Sequence, residues 1–173
     1  MLRDHSSHYM LNKKTCIVLW SWSFAMTLSI GLVAHDRRKR EMAEWLETHK
    51  DQFADARIFA TGTTGRVLLE RFPDLNIVPL KSGPFGGDQQ LGSMIAHGEL
   101  QAMFFFTDPM TPQPHDVDVR ALIRLANMYE VPIACNRSTA DLLISNPKFE
   151  EICEQYRGHS PEQAFADYTN RKL

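Results

Sequence analysis

Cysteine is scarce in this 173-residue chain, and the three present, Cys16, Cys135 and Cys153, stand far apart. An odd number without a CxxC pair argues against a disulfide framework or a zinc ribbon, and for idle thiols in a reducing cytoplasm. An excess of one charge is missing too, since 19 Lys and Arg face 21 Asp and Glu. Nothing in that balance calls for nucleic acid or an acidic polymer as partner. The GK[ST] ending of a P-loop, the GxGxxG fingerprint, HExxH and the EF-hand spacing are all absent. There is no internal repeat, low-complexity tract or linker. The length suits one domain with a core large enough to fold without staples.

One long apolar run is present. Residues 15–34, "TCIVLWSWSFAMTLSIGLVA", follow Lys13 and Lys14 and have the length of a marginal membrane span or signal-peptide core. Its second half, continued into His35 and Asp36, reads instead as a buried strand ending in a polar pair. A strand cannot serve a globular core and a bilayer together. The expectation is therefore a native start at or near Met26, with residues 1–25 an upstream extension or removable leader and residues 26–173 the catalytic domain. No membrane role is expected.

From Met26 onward, short apolar runs alternate with helical patterns. Strands are expected at 28–34, 56–60, 75–80, 100–106 and 131–135. They are continuously apolar rather than alternating, as in a parallel sheet covered on both faces. Helices are expected from Arg37 to His49, after Thr64, after Asp88, after Asp116, from Ser138 and over the C-terminal 161–173. The helix after Asp116 should place Ala121, Leu122, Leu125 and Met128 on one face. The pattern predicts a single doubly wound α/β domain with a mainly parallel five-stranded sheet flanked by helices.

In such sheets ligands bind beyond the carboxyl ends of the strands. The residues there are His35 and Asp36, "TGTTG" (61–65), "KSGPFGGDQQ" (81–90), "TDPMTPQPHDVD" (107–118) and "NRSTAD" (136–141). "TGTTG" reads as a phosphate cradle at a helix N-terminus or as a plain turn with a threonine cap. Lys39 adds a cation one turn beyond Asp36, and Ser82 and Gly83 a second close backbone approach. Asp88 reads as a helix cap or as a base for a proton next to a carbonyl, held ionised by the helix N-terminus. His115, with Asp108 and Asp118 near it in sequence, is a candidate to polarise that carbonyl. Capping and turn roles, with Asp116 as N-cap, account for that loop equally well. A divalent-metal set of His35, Asp36, Asp108, His115 and Asp118 ranks below metal-free acid–base chemistry.

The blocks "LVAHD", "ATGTTG", "SGPFGGDQQ", "FFTDPMTPQPHDVDVRALIRLA" and "VPIACNRSTADLLI" stand in the order and spacing of the methylglyoxal synthase family, which this chain resembles from Met26 through Asn146. The resemblance implies a lyase that turns dihydroxyacetone phosphate into methylglyoxal and inorganic phosphate without cofactor or metal. It implies Asp88 as catalytic base and His115 as the group hydrogen-bonding the substrate oxygens. His35, Asp36, Asp108 and Asp118 are similar to the family's other polar active-site residues. Lys39, Thr61, Thr63, Thr64, Ser82 and Gly83 look like its phosphate site. It further implies a homo-oligomer, a hexamer, in which a C-terminal arginine of a neighbouring subunit (Arg171 by position) reaches the phosphate, and inhibition by inorganic phosphate.

Two rivals remain: a stand-alone ligand-sensing domain of the same fold, as attached to carbamoyl phosphate synthetases, and a metal-dependent hydrolase. Mass spectrometry of the protein from its native host tests the expected start. The first peptide should begin at or near Met26, and peptides from upstream of it in the soluble protein would defeat the truncation.

Overall fold

The computed structural model describes residues 27–157 and 161–170. Five strands, β1 (Ser29–Ala34), β2 (Arg57–Thr61), β3 (Asn76–Leu80), β4 (Ala102–Phe106) and β5 (Ile133–Ala134), form one sheet in the order β3-β2-β1-β4-β5. Every pairing is parallel. The helices are α1 (Lys39–Thr48), α2 (Gly62–Arg71), α3 (Gly87–Ala96), α4 (Asp116–Met128), α5 (Arg137–Ile144), α6 (Phe149–Arg157) and α7 (Pro161–Thr169). This is the expected doubly wound α/β domain.

The apolar runs are explained by burial on both sheet faces. In β1, Ile30, Leu32 and Ala34 enter one core, while Val33 enters the other. β4 does the same, with Phe104 and Phe106 on one side and Met103 and Phe105 on the other. Side chains alternate across a strand, so a strand buried on both faces has no position to spare for a polar residue. The first core is closed by α1, α2, α5 and α6, the second by α3 and α4. The second half of the 15–34 run is thus β1; its first half lies outside the described residues. Among the described residues no helix is long and apolar enough to cross a membrane.

Several boundaries differ from the sequence expectation, each for a local reason. β5 is only Ile133–Ala134, because Val131 is drawn back to the end of α4 by its bond to the Ala126 carbonyl. Pro79 sits inside β3, which is an edge strand, the place where a residue without N–H is tolerated. Asp116 is the first residue of α4 rather than its cap; His115 takes the N-cap position. α5 starts at Arg137, its Thr139 N–H held by the Asn136 side chain at 3.0 Å. The buried stripe of α4 is Val119, Leu122 and Ala126, and Met128 is exposed. α6 was not anticipated at all; it buries Phe149 and Cys153 in the first core.

Trp45 anchors that core. It is fully buried, with ring centroids 4.8 Å from Phe104, 5.5 Å from Phe53 and 5.6 Å from Phe106. Its indole N–H donates to Asp141 of α5 at 2.8 Å, and the same carboxylate oxygen lies 3.0 Å from His49 Nε2. Trp45→Ala should therefore cost about 3–5 kcal/mol of stability, read from the shift of the urea midpoint.

Candidate active site

The strands run the same way, so their carboxyl ends and the N-termini of the following helices share one edge. Partial positive charge from α2, α3 and α4 gathers there. The chain turns from β2 straight into α2 through Gly62, at φ 46°, where a Cβ would come within 2.5 Å of Ser82 Cβ. Only glycine accepts both that backbone and that contact. The result brings "TGTTG" against Ser82, and Gly62 N–H bonds the Lys81 carbonyl at 3.1 Å. Thr61 is the N-cap of α2, yet its side chain makes no capping bond, and neither does that of Ser82 before the short turn Gly83–Phe85. Lys39 Nζ donates to both the Asp36 carboxylate and the Thr63 hydroxyl. That lysine draws the Asp36 carboxyl below its ordinary range. Thr64 is buried, with its hydroxyl 3.4 Å from the Ala34 carbonyl. An ammonium, uncommitted hydroxyls and a helix N-terminus make an anion cradle.

Beside the cradle stand two imidazoles and a carboxylate. Asp88 is the second residue of α3 and is only 3% exposed. It is not the cap: Gly86, left-handed at φ 96°, holds that position. Its Oδ2 is buried without a hydrogen bond and lies 3.6 Å from His115 Nε2. Burial pushes the Asp88 carboxyl above its ordinary value, Asp118 pushes it the same way, and His115 and His35 pull against them. This reverses the sequence expectation, in which the helix N-terminus held Asp88 low; loss of water outweighs the dipole. Gly83 explains how the pair meets: a Cβ there would lie 2.5 Å from His115 Nε2 and 2.9 Å from Asp88 Oδ2. Gly87 serves α3 instead, since its Cβ would collide with the Lys81 carbonyl at 2.0 Å.

His35 follows β1, is buried, and meets His115 edge to face with ring centroids 6.4 Å apart. His35 Nε2 and His115 Nδ1 are also buried without a partner. Burial, then His115, lowers the His35 pKa, favouring the neutral ring.

These groups line one cavity of about 310 Å³. It joins His35, Asp36, Lys39, Thr61, Thr63, Thr64, Ser82, Gly83, Asp88 and His115. Asp108 and Asp118 do not line it. Asp118 acts on Asp88 only by its charge. The backbone N–H of Asp108 bonds His35 Nδ1, while its carboxyl, held low by Thr111 and the Met110 N–H, turns to its own loop. Arg171 lies outside the described residues. Sequence reasoning missed Gln113, which lines the cavity two residues before His115; its signal was its place in the proline-rich loop. Among the described residues no three His, Cys, Asp or Glu side chains are grouped as a metal site.

The family described as MGS-like domain matches residues 41–135. The methylglyoxal synthase of Oleidesulfovibrio alaskensis is 59% identical over 119 residues, which span 69% of this chain and 81% of that protein. The chain belongs to the methylglyoxal synthase family. The methylglyoxal synthase of Leptospira interrogans is 50% identical over 120 residues, 69% of this chain and 80% of its own. The crystal structure of methylglyoxal synthase from Elizabethkingia anophelis superposes with a TM-score of 0.67 at 44% identity, covering 72% of this chain and 81% of that one. This member of the methylglyoxal synthase family thus shares its fold with a structurally characterised synthase.

The raised Asp88 carboxyl has a cost that can be measured. The native state holds that proton more tightly than the unfolded chain, so stability falls as pH rises from about 3.9 through the folded value. The penalty is complete above the folded value. Asp88→Asn should therefore melt higher than wild type at neutral pH, with the gap closing as the pH drops into the carboxylate range. A scan by differential calorimetry across pH checks it.

Proposed function

We propose that the protein converts dihydroxyacetone phosphate into methylglyoxal and inorganic phosphate. The observation that carries this is the unpartnered, buried Asp88 Oδ2 facing His115 in the same cavity as the Lys39–threonine–Ser82 cradle. A raised carboxylate with no hydrogen bond is poised to take a proton. Asp88 removes a proton from the hydroxymethyl carbon, and His115 hydrogen-bonds the substrate oxygens as the enediolate forms. The enediolate electrons then expel the phosphate from the far carbon, leaving the enol of methylglyoxal. That enol takes up a proton at its methylene carbon to give the ketoaldehyde. Atoms and electrons balance without a cofactor or metal.

The cradle of Lys39, Thr61, Thr63, Thr64, Ser82 and Gly83 holds the phosphate. Expulsion needs the breaking C–O bond perpendicular to the enediolate plane, aligned with its π system. Phosphate contacts from two strand ends fix that torsion, a positioning effect. Asp36 holds Lys39 in place. In the same reading the protein is a cytoplasmic hexamer, Arg171 of a neighbouring copy reaches the phosphate, and free phosphate competes for the cradle as an inhibitor. A ligand-sensing domain would use the cradle and has no need of Asp88 buried unpaired, and the relatives are named as synthases.

Purified protein incubated with dihydroxyacetone phosphate should release methylglyoxal and phosphate in equal amounts. Asp88→Asn should keep the fold and lose about 10²–10⁴ in turnover, the usual worth of a positioned base. A wild type that binds phosphate but makes no methylglyoxal would overturn the assignment. Thr63→Ala and Ser82→Ala should lower kcat as well as raise KM; a change in KM alone would remove the torsional role.

A further inference from the structure

A neutral histidine has one N–H, and the partner of one nitrogen decides which nitrogen carries it. At His35 the backbone makes that choice. The N–H of Asp108 donates to His35 Nδ1 at 2.9 Å in buried surroundings. A backbone amide nitrogen can only donate, so Nδ1 must keep its lone pair. The ring proton then sits on Nε2, a buried atom without a partner on a residue lining the cavity. Moving it to Nδ1 would set two N–H groups against each other.

The sheet holds both sides of this contact still. Ala34 and Phe106 are in register across β1 and β4, and His35 N–H continues the ladder to the Phe106 carbonyl at 3.1 Å. Asp108 follows two residues later. Phe105 packs edge-on against the His35 ring, centroids 5.2 Å apart. The charges around the ring divide: burial and His115 oppose an imidazolium, Asp108 and Asp116 favour it, and the Asp36 and Asp88 carboxylates also face it. The first two prevail. His115 is different, because its Nδ1 has no partner to fix its tautomer and its Nε2 lies beside Asp88.

We propose that His35 is a tautomer-locked neutral donor whose Nε2–H binds the oxygen on which the enediolate charge develops, with the Asp108 backbone as the positioning group. This rests on the reaction given above. A neutral imidazole is a far weaker acid than an imidazolium. It can stabilise the oxyanion without surrendering its proton, so the oxygen keeps the electron density that drives phosphate out. Proton abstraction falls to Asp88, and fixed electrostatic stabilisation to His35.

Nitrogen-15 NMR of histidine-labelled wild type, with His35 assigned by its loss in His35→Gln, reads the tautomer directly. Nδ1 should be pyridine-like and Nε2 pyrrole-like throughout about pH 6 to 8. A protonated Nδ1, or an imidazolium near neutral pH, would overturn the lock whatever the protein catalyses. In the kinetic arm, His35→Leu should lose about a hundredfold or more in kcat. His35→Gln, whose amide N–H reaches about where Nε2 stood, should recover a substantial part of it, with the limbs of the pH–rate profile unmoved. Equal loss in both variants would overturn the donor role. Absence of methylglyoxal from wild type would instead overturn the reaction and leave the NMR result standing.

Discussion

Parallel pairing of β1 with β2 on one side and β4 on the other is the constraint on which the site depends. It sends every strand to end at the same edge and every following helix to begin there. The chain reverses its winding between β1 and β4, so the loops after them part and leave a crevice at that edge. The same ladder sets the residue after β1 beside the loop after β4, which is how a backbone N–H comes to hold His35. The cradle needs the neighbouring strand ends as well, with Gly62 bringing the β2 loop against Ser82. Register does the work that a dedicated set of orienting side chains would otherwise do.

The edge is a place of deliberate imbalance. The two cores are apolar and closed, while among the described residues four buried side-chain nitrogen or oxygen atoms, on His35, Asp88, Asp108 and His115, have no hydrogen-bond partner. Buried polar groups are ordinarily satisfied, and leaving one unmade is costly. Three of these four residues line or border the cavity with groups suited to meet a substrate. The aromatic packing around Trp45 on the opposite face supplies stability that offsets them.

Much of this was legible in the sequence. Continuous apolar runs marked strands buried on both faces, and the polar residues after them marked the rim. What escaped lies in contacts that spacing cannot show. The Asp108 amide and the His35 ring are 73 residues apart, and Asp108 looked like a catalytic carboxyl when its backbone makes the contact. Asp88 looked like a helix cap because aspartate commonly is one; Gly86 took that position, and burial reversed the expected direction of its pKa. α6 was invisible because its signal is one amphipathic stripe among charged residues, ending in the first core through Phe149 and Cys153. Met128 matched the helical period of α4 but is exposed, while Tyr129 beside it packs on the second core.

Gly83 occupies the narrow gap between His115 and Asp88. Every other amino acid carries at least a Cβ, so no substitution at this position is smaller than the one that already intrudes. Most active-site positions can drift by degrees, trading a methylene here for a hydroxyl there. This one has no graded path: a mutational neighbour either leaves the gap open or wedges the Asp88 carboxyl and the His115 ring apart. Sequence variation that tunes this site has to come from the walls around the pair, and position 83 will be silent until it breaks.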